Sequence, residues 1–216
     1  MSAGGRDRAS APVDGVSVPH AELVRRWHPW TPGDVRDRLA GIDAPWGVAA
    51  GWAIDLFLGT TTRAHGDIEI TVPAASFPAV ADALAEFDWD VVGSGRIWPY
   101  PSALDRFHQT WLRDRATGQY LLDVFREPHD GTTWLCRRDP AITLPYDLVY
   151  ARSDDGIPYV IPEIVLLFKA PHLHPKDQAD FDHVLPLLPP DRRRRLVTWL
   201  ERVQPDHRWL AALGAR

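Results

Sequence analysis

The sequence predicts an α/β (α+β) fold, a mixed sheet with helices followed by a small C-terminal helical subdomain, and three observations lead there. Up to about residue 155, short apolar or alternating runs suited to strands are interleaved with amphipathic helical runs. From Pro162 onward the periodicity is helical throughout. The 216 residues, 45% of them hydrophobic, supply a core for one domain or for a domain with a smaller partner. The expected organisation is a flexible tail over 1–17, a core over 18–155 and a helical subdomain over 156–216.

In chain order, the small and polar residues 1–17 form the tail. His20–Trp30 reads as a short helix, and Pro32-Gly33-Asp34 opens another over Val35–Ala40. Trp46–Gly51 is a brief apolar strand running into a helix over Trp52–Leu58, which Gly59 ends. Asp67–Val72 alternates charged and aliphatic residues with the period of a half-buried strand. Phe77–Phe87 has helical period. Strands follow over Asp88–Val92, His108–Arg113 and Gln119–Glu127, the last two joined by a turn at Ala116-Thr117-Gly118. Pro162–Lys169, Asp177–Leu188 and Asp191–Val203 are helices, the last two separated by Pro189-Pro190.

Several classes are excluded early. A lone Cys136 cannot build a disulfide scaffold. Ten tryptophans need burying, which argues against disorder. A net charge of −5 is the wrong sign for a protein held on nucleic-acid backbone. No apolar run reaches the roughly 18 residues of a membrane span, and the first residues lack the apolar core of a signal peptide. The expectation is a cytoplasmic protein. The cations are nearly all Arg; the two lysines, Lys169 and Lys176, fall together in one segment.

The chemistry concentrates around Asp67 and Glu69. Two residues apart on a strand, they share one face while Ile68 and Ile70 anchor the other. Two charges about 4 Å apart repel by roughly 1 kcal/mol in water and about 4 at an effective dielectric of 20. Divalent cations relieve that repulsion, and an oxygen-only donor set suits Mg²⁺ beside a polyphosphate. An edge strand with its polar face in water is the simpler reading of the pair alone. Upstream, Gly51 at a strand–helix junction lets an anion approach backbone N–H groups at a helix N-terminus. Thr62-Arg63-Ala64-His65-Gly66 brings Arg63 and His65 next to the acids. Asp123 sits in the apolar segment Tyr120-Leu121-Leu122-Asp123-Val124-Phe125, where an acid needs a partner or a metal.

Together these residues resemble a known family. Ala49-Ala50-Gly51-Trp52-Ala53-Ile54-Asp55, followed by Thr62-Arg63-Ala64-His65-Gly66-Asp67-Ile68-Glu69, is similar to the signature of the small antibiotic nucleotidyltransferases, the aminoglycoside and lincosamide adenylyltransferases. These belong to the DNA polymerase β-like superfamily. Tyr120-Leu121-Leu122-Asp123 resembles the strand that carries the family's third carboxylate. The resemblance covers roughly residues 35–127 and extends loosely through Lys169–Phe181. Ala50 stands where the pattern usually has a first glycine, and Glu69 where the antibiotic-modifying members usually have Asp.

The resemblance implies a polymerase β-like nucleotidyltransferase core that transfers AMP from ATP to a hydroxyl of a small molecule such as an aminoglycoside. Asp67, Glu69 and Asp123 would be the catalytic residues and the ligands of two Mg²⁺ ions, with Asp123 available to accept the acceptor's proton. Gly51, Trp52, Arg63, His65, Lys169 and Lys176 would bind the nucleotide. Both lysines are expected to face the acids across a cleft between core and helical subdomain.

Other readings stand beside this one. His172 and His174, with Asp177, Asp180 and His183, have the chemistry of a transition-metal hydrolase. A non-catalytic nucleotide-binding or antitoxin-like interaction module would share the fold. Arg192–Arg195 reads as a solvated helix face, or as an anion site. Trp98, Tyr100 and Trp134 are candidates for the wall of an acceptor pocket, and Asp55 is a candidate partner for Arg63.

Overall fold

A computed structural model describes residues 14–214. Helices α1 (His20–Arg26) and α2 (Pro32–Arg38) precede the two-residue strand β1 (Gly47–Val48), which runs into α3 (Ala50–Leu58). Strand β2 (Glu69–Pro73), helix α4 (Phe77–Ala83) and strands β3 (Asp88–Gly93), β4 (Arg96–Pro99), β5 (Gln109–Arg113) and β6 (Tyr120–Glu127) follow. Three strands, β7 (His129–Asp130), β8 (Thr133–Cys136) and β9 (Asp139–Pro145), make a small antiparallel sheet. The one-turn helix α5 (Tyr146–Val149) leads to β10 (Tyr150–Arg152) and β11 (Pro158–Val160). Helices α6 (Pro162–Lys169), α7 (Pro175–Val184), α8 (Pro190–Val203) and α9 (Trp209–Leu213) complete the described chain. No helix among the described residues is long and apolar enough to cross a membrane.

The main sheet has the order β10-β11-β1-β2-β6-β5-β3-β4 and is mixed. Strands β1 and β11 are parallel, as are β2 and β6, while the other neighbours are antiparallel. The parallel β2–β6 pair matters most, because its register sets Glu69 opposite Asp123. Ile68, Ile70 and Val72 on one strand and Leu122 and Val124 on the other are fully buried on the opposite face. Alternation therefore commits the odd-numbered residues Glu69, Thr71, Asp123, Phe125 and Glu127 to a single side.

Local signals explain the element ends. Thr31 and Asp34 form a reciprocal capping box at α2, with Pro32 in its first turn. Gly59 closes α3 at φ 70°, a backbone conformation that costs glycine nothing. Several boundaries differ from the sequence expectation. The helix expected over His20–Trp30 ends at Arg26, because Trp27 bridges to Tyr120 instead. The strand expected over Trp46–Gly51 is reduced to two residues. The strand expected from Asp67 begins at Glu69, with Asp67 exposed in the preceding loop. The helix expected to reach Phe87 ends at Ala83, and the one expected to reach Leu188 gives way to a 3₁₀ turn at Leu185–Leu187. Of the expected tail, residues 1–13 lie outside the described residues, whereas Val16 exchanges two backbone hydrogen bonds with Ile97 of β4.

The arginine run is a structural clamp and not a solvated face. Glu163, at the start of α6, is fully buried. Arg192 Nε donates to both its carboxylate oxygens at 2.8 and 3.0 Å, Nη2 adds a third contact, and Arg195 Nη1 donates at 3.1 Å. Arg193 donates to the Leu185 carbonyl at 2.8 Å. The clamp bolts α8 to α6, the helix that covers α3 and one wall of the site described below. The energetics are asymmetric: the carboxylate is sealed from water and the two guanidinium groups are not. Replacing both Arg192 and Arg195 by Met is expected to cost about 3–5 kcal/mol, the range for a stranded buried charge. Glu163→Ala should cost clearly less, since the arginines turn to solvent. Urea denaturation of the two variants measures the difference.

Candidate active site

A cleft of about 700 Å³ lies over the exposed side of the β2–β6 pair, between the sheet and helices α6 and α7. Gly51, Trp52, Arg63, His65, Asp67, Glu69, Lys169 and Lys176 all line it. Asp123 lies beneath the surface next to Glu69, since in-register residues on adjacent strands are about 4.8 Å apart and point the same way. Its Oδ2 accepts a 2.5 Å hydrogen bond from Gln109 Nε2, and its buried Oδ1 has no hydrogen-bond partner.

The acids act on one another. Burial raises the pKa of Glu69 to about 7, and the Asp67 charge pushes in the same direction, while Lys169, Lys176 and Arg63 pull it back. Asp123 is held well above the usual carboxylate range, first by burial and then by the Glu69 charge. The free protein thus carries a cluster that resists full ionisation. Among the described residues no three His, Cys, Asp or Glu side chains are already drawn together as around an ion. The donor chemistry nevertheless fits hard divalent cations: three carboxylates, mutual repulsion and one buried oxygen with its hydrogen-bonding capacity unused.

The N-terminal end of α3 is built around one glycine. A Cβ at Gly51 would lie 2.2 Å from Arg63 Nη2 and 2.8 Å from His65 Cε1, so only glycine admits both side chains there. His65 stacks on Trp52 at 4.3 Å between ring centroids, and its Nε2 lies 2.6 Å from Asp55 Oδ2. Thr62 donates to Asp55 Oδ1 through its backbone N–H at 3.1 Å and its hydroxyl at 2.6 Å. Asp55 is therefore spent on His65 and Thr62, not on Arg63 as expected. Arg63 keeps a distant carboxylate only, Asp180 at 3.9 Å, so most of its charge faces the cleft. Ala50 adopts φ 49°, the left-handed region in which a glycine is at home.

The two lysines differ. Lys169 Nζ is paired with Asp177 at 3.0 Å and Asp180 at 2.9 Å. Lys176 is exposed, and among the described residues it has no carboxylate within ion-pair distance. That pairing also answers the hydrolase reading. His172 and His174 stand 6.2 Å apart with nearly parallel rings, but Asp177 and Asp180 are occupied by Lys169 and His183 is exposed. The acids that would complete a transition-metal site are neutralising a lysine instead.

Of the aromatic candidates, only Trp134 lines the cleft. Trp98 is buried against Phe107, and Tyr100 packs on Phe77. Sequence reasoning missed the far end of the cleft, where Phe125, Glu127, Arg137, Arg138 and Phe168 gather. Phe125 and Glu127 carried a signal, because they continue the alternation of Asp123 along β6. Arg137 and Arg138 carried none, since the turn between β8 and β9 that delivers them had not been foreseen.

Comparison with known proteins bears on the fold and on one segment of the chain. Residues 33–98, which include Gly51, Arg63, Asp67 and Glu69, match the family model of aminoglycoside-2''-adenylyltransferase. The crystal structure of ANT(2'')-Ia in complex with adenylyl-2''-tobramycin superposes with a TM-score of 0.53 at 17% identity, over 79% of this chain and 97% of that one. The chain has the polymerase β-like nucleotidyltransferase fold. A second nucleotidyltransferase, the lincosamide antibiotic adenylyltransferase LnuA bound to lincomycin, gives a TM-score of 0.50 at 20% identity over 78% of this chain and 98% of that one. No curated protein matches the sequence. Within the nucleotidyltransferase fold, the matched segment carries the glycine turn and the first two acids, whereas Asp123 lies outside it.

Two outcomes are expected. Ala50→Gly relieves a left-handed alanine costing roughly 1–2 kcal/mol, against a glycine entropy cost of about 0.5–1. The variant should be more stable by about 0.5–1 kcal/mol, as thermal denaturation will show. For pH, Glu69 ionises near 4.5 in the unfolded chain and near 7 in the fold, so between these values the native state holds the extra proton. Stability of the metal-free protein should therefore fall as pH rises through that window, and the fall should be shallower in Glu69→Gln. Melting temperatures of the two proteins across that pH range measure it.

Proposed function

We propose that this protein is a Mg²⁺-dependent nucleotidyltransferase that moves AMP from ATP to a hydroxyl of a small molecule, with antibiotics as the first acceptor class to examine. One observation carries the reading: Glu69 lines a cleft that also holds Asp67, Arg63 and Lys176, and Asp123 lies next to Glu69 on the parallel neighbouring strand, just beneath the cleft surface. The match over residues 33–98 and the antibiotic-bound neighbours support it.

Asp67, Glu69 and Asp123 would hold two divalent cations, which supply charge neutralisation around the polyphosphate when bound. The rest is work for the chain's own residues. Arg63 and Lys176 offer cationic donors to phosphate oxygens, and Lys169 orients the α7 carboxylates that surround it. Gly51 keeps the end of α3 open to the side chains of Arg63 and His65. The Asp55–His65–Trp52 stack fixes the loop that carries Asp67, so the first acid keeps its place relative to the second. Asp123, the most buried of the three acids, would accept the proton of the acceptor hydroxyl.

Mass spectrometry of products after incubation with MgATP and a panel of aminoglycosides and lincosamides tests the activity. Asp67→Asn, Glu69→Gln and Asp123→Asn should each lower AMP transfer by about 10²–10³-fold, the range for removing one preorganised charge. Unchanged transfer in all three would dismiss the assignment. Thermal stabilisation of the wild type by MgATP separates a catalyst from an interaction module that ignores nucleotide.

A further inference from the structure

The end of the cleft away from the three acids has a charge and texture of its own. Glu127 lies four residues beyond Asp123 on the same face of β6, about 13 Å away at the rise of a strand. It is buried, and both of its oxygens are taken. Oε2 accepts from Trp134 Nε1 at 3.3 Å and from Arg137 Nε at 3.2 Å, and Oε1 lies 3.2 Å from Arg137 Nη2. The charge of Glu127 is therefore already paired with Arg137 and is not free to receive an incoming ammonium.

Its neighbours are cationic and aromatic. Arg138 donates to the Phe168 carbonyl at 2.9 Å and, among the described residues, has no carboxylate within ion-pair distance. Arg137 lies over the Phe125 ring at 4.8 Å and the Phe168 ring at 5.0 Å, and Arg138 over Phe168 at 5.2 Å. Behind this wall, burial and then the charges of Arg137 and Arg126 push His108 below its usual pKa. The turn is anchored from behind, since Arg202 of α8 donates to Asp139 at 2.9 Å. This end is thus a fixed apolar wall with one surplus positive charge.

Resting on the nucleotidyltransferase reading, we propose that the acceptor is a hydroxylated molecule with an aromatic or apolar body and an acidic group, bound with that group toward Arg138. A polyamine acceptor is disfavoured there, because an ammonium group would meet Arg137 and Arg138 with no free carboxylate to receive it. A carboxylate group gains charge-assisted hydrogen bonds from Arg138, while the ring packs against the half-buried Phe168.

A matched pair of probes decides it. Isothermal titration of the MgATP-loaded protein compares 3-(4-hydroxyphenyl)propanoate with tyramine, which place a carboxylate or an ammonium on similar bodies. The carboxylate should bind at least about tenfold tighter, and Arg138→Glu should abolish or reverse the preference. Equal binding, tighter binding of tyramine, failure of the carboxylate to bind at millimolar concentration, or an unchanged preference in Arg138→Glu overturns the proposal. Stabilisation of the same samples by MgATP is read separately. If it is present while the probe preference fails, the acceptor class is wrong and the nucleotide reading stands; if it is absent, the nucleotide reading itself fails.

Discussion

The arrangement of this protein turns on a repulsion. Glu69 and Asp123 are held side by side by the parallel pairing of β2 and β6, and Asp67 adds a third negative charge at the lip of the same cleft. Strand register allows no escape, because a slip of one residue would bring Ile68 or Val124 out of the core. Burial of the aliphatic face therefore holds the acids together on the other. The unfavourable charge is met by keeping protons in the free protein, and it leaves a donor set suited to hard cations.

Around this centre the cations fall into two kinds. Some are neutralised within the fold: Lys169 by Asp177 and Asp180, Arg137 by Glu127, and Arg192 and Arg195 by Glu163. These fix α6, α7 and α8 and the β8–β9 turn around the cleft. Others retain most of their charge at the cleft, notably Arg63, Lys176 and Arg138. The second kind is what a ligand would meet. The division gives the cleft a cationic end beside the acids and a separate cationic–aromatic end beyond Glu127. Folding stability and recognition thus draw on the same residue type, distinguished only by whether a carboxylate lies within reach.

Much of the site was legible because its signals are local. Asp67-Ile68-Glu69-Ile70 announces a two-faced strand, and Gly51 announces a close approach, although what approaches is Arg63 and His65 from the chain itself. Asp55 pairs with His65 and not with Arg63, although Arg63 is the nearer in sequence, because the path of the loop decides which side chain reaches it. The arginine run was misread for the opposite reason: its partner, Glu163, lies 29 residues before Arg192 and looks like an ordinary first-turn acid. The small sheet of β7, β8 and β9 escaped notice because its strands are short and interrupted by Gly131, Pro140 and two arginines. With it went the whole far end of the cleft.

By itself, the sequence determined which faces of β2 and β6 are apolar, where most of the helices lie, and that Asp67 and Glu69 stand together at one strand end. These depend on periods of two or 3.6 residues and on the backbone preferences of Gly and Pro, all expressed within a few positions. Only the tertiary structure decided that Asp123 lies next to Glu69, that Lys169 is neutralised while Lys176 is not, and that Arg137 and Arg138 close the cleft. Those outcomes depend on strand register and on which charges come within about 4 Å of one another, distances that the packing of remote segments sets and that no local pattern records.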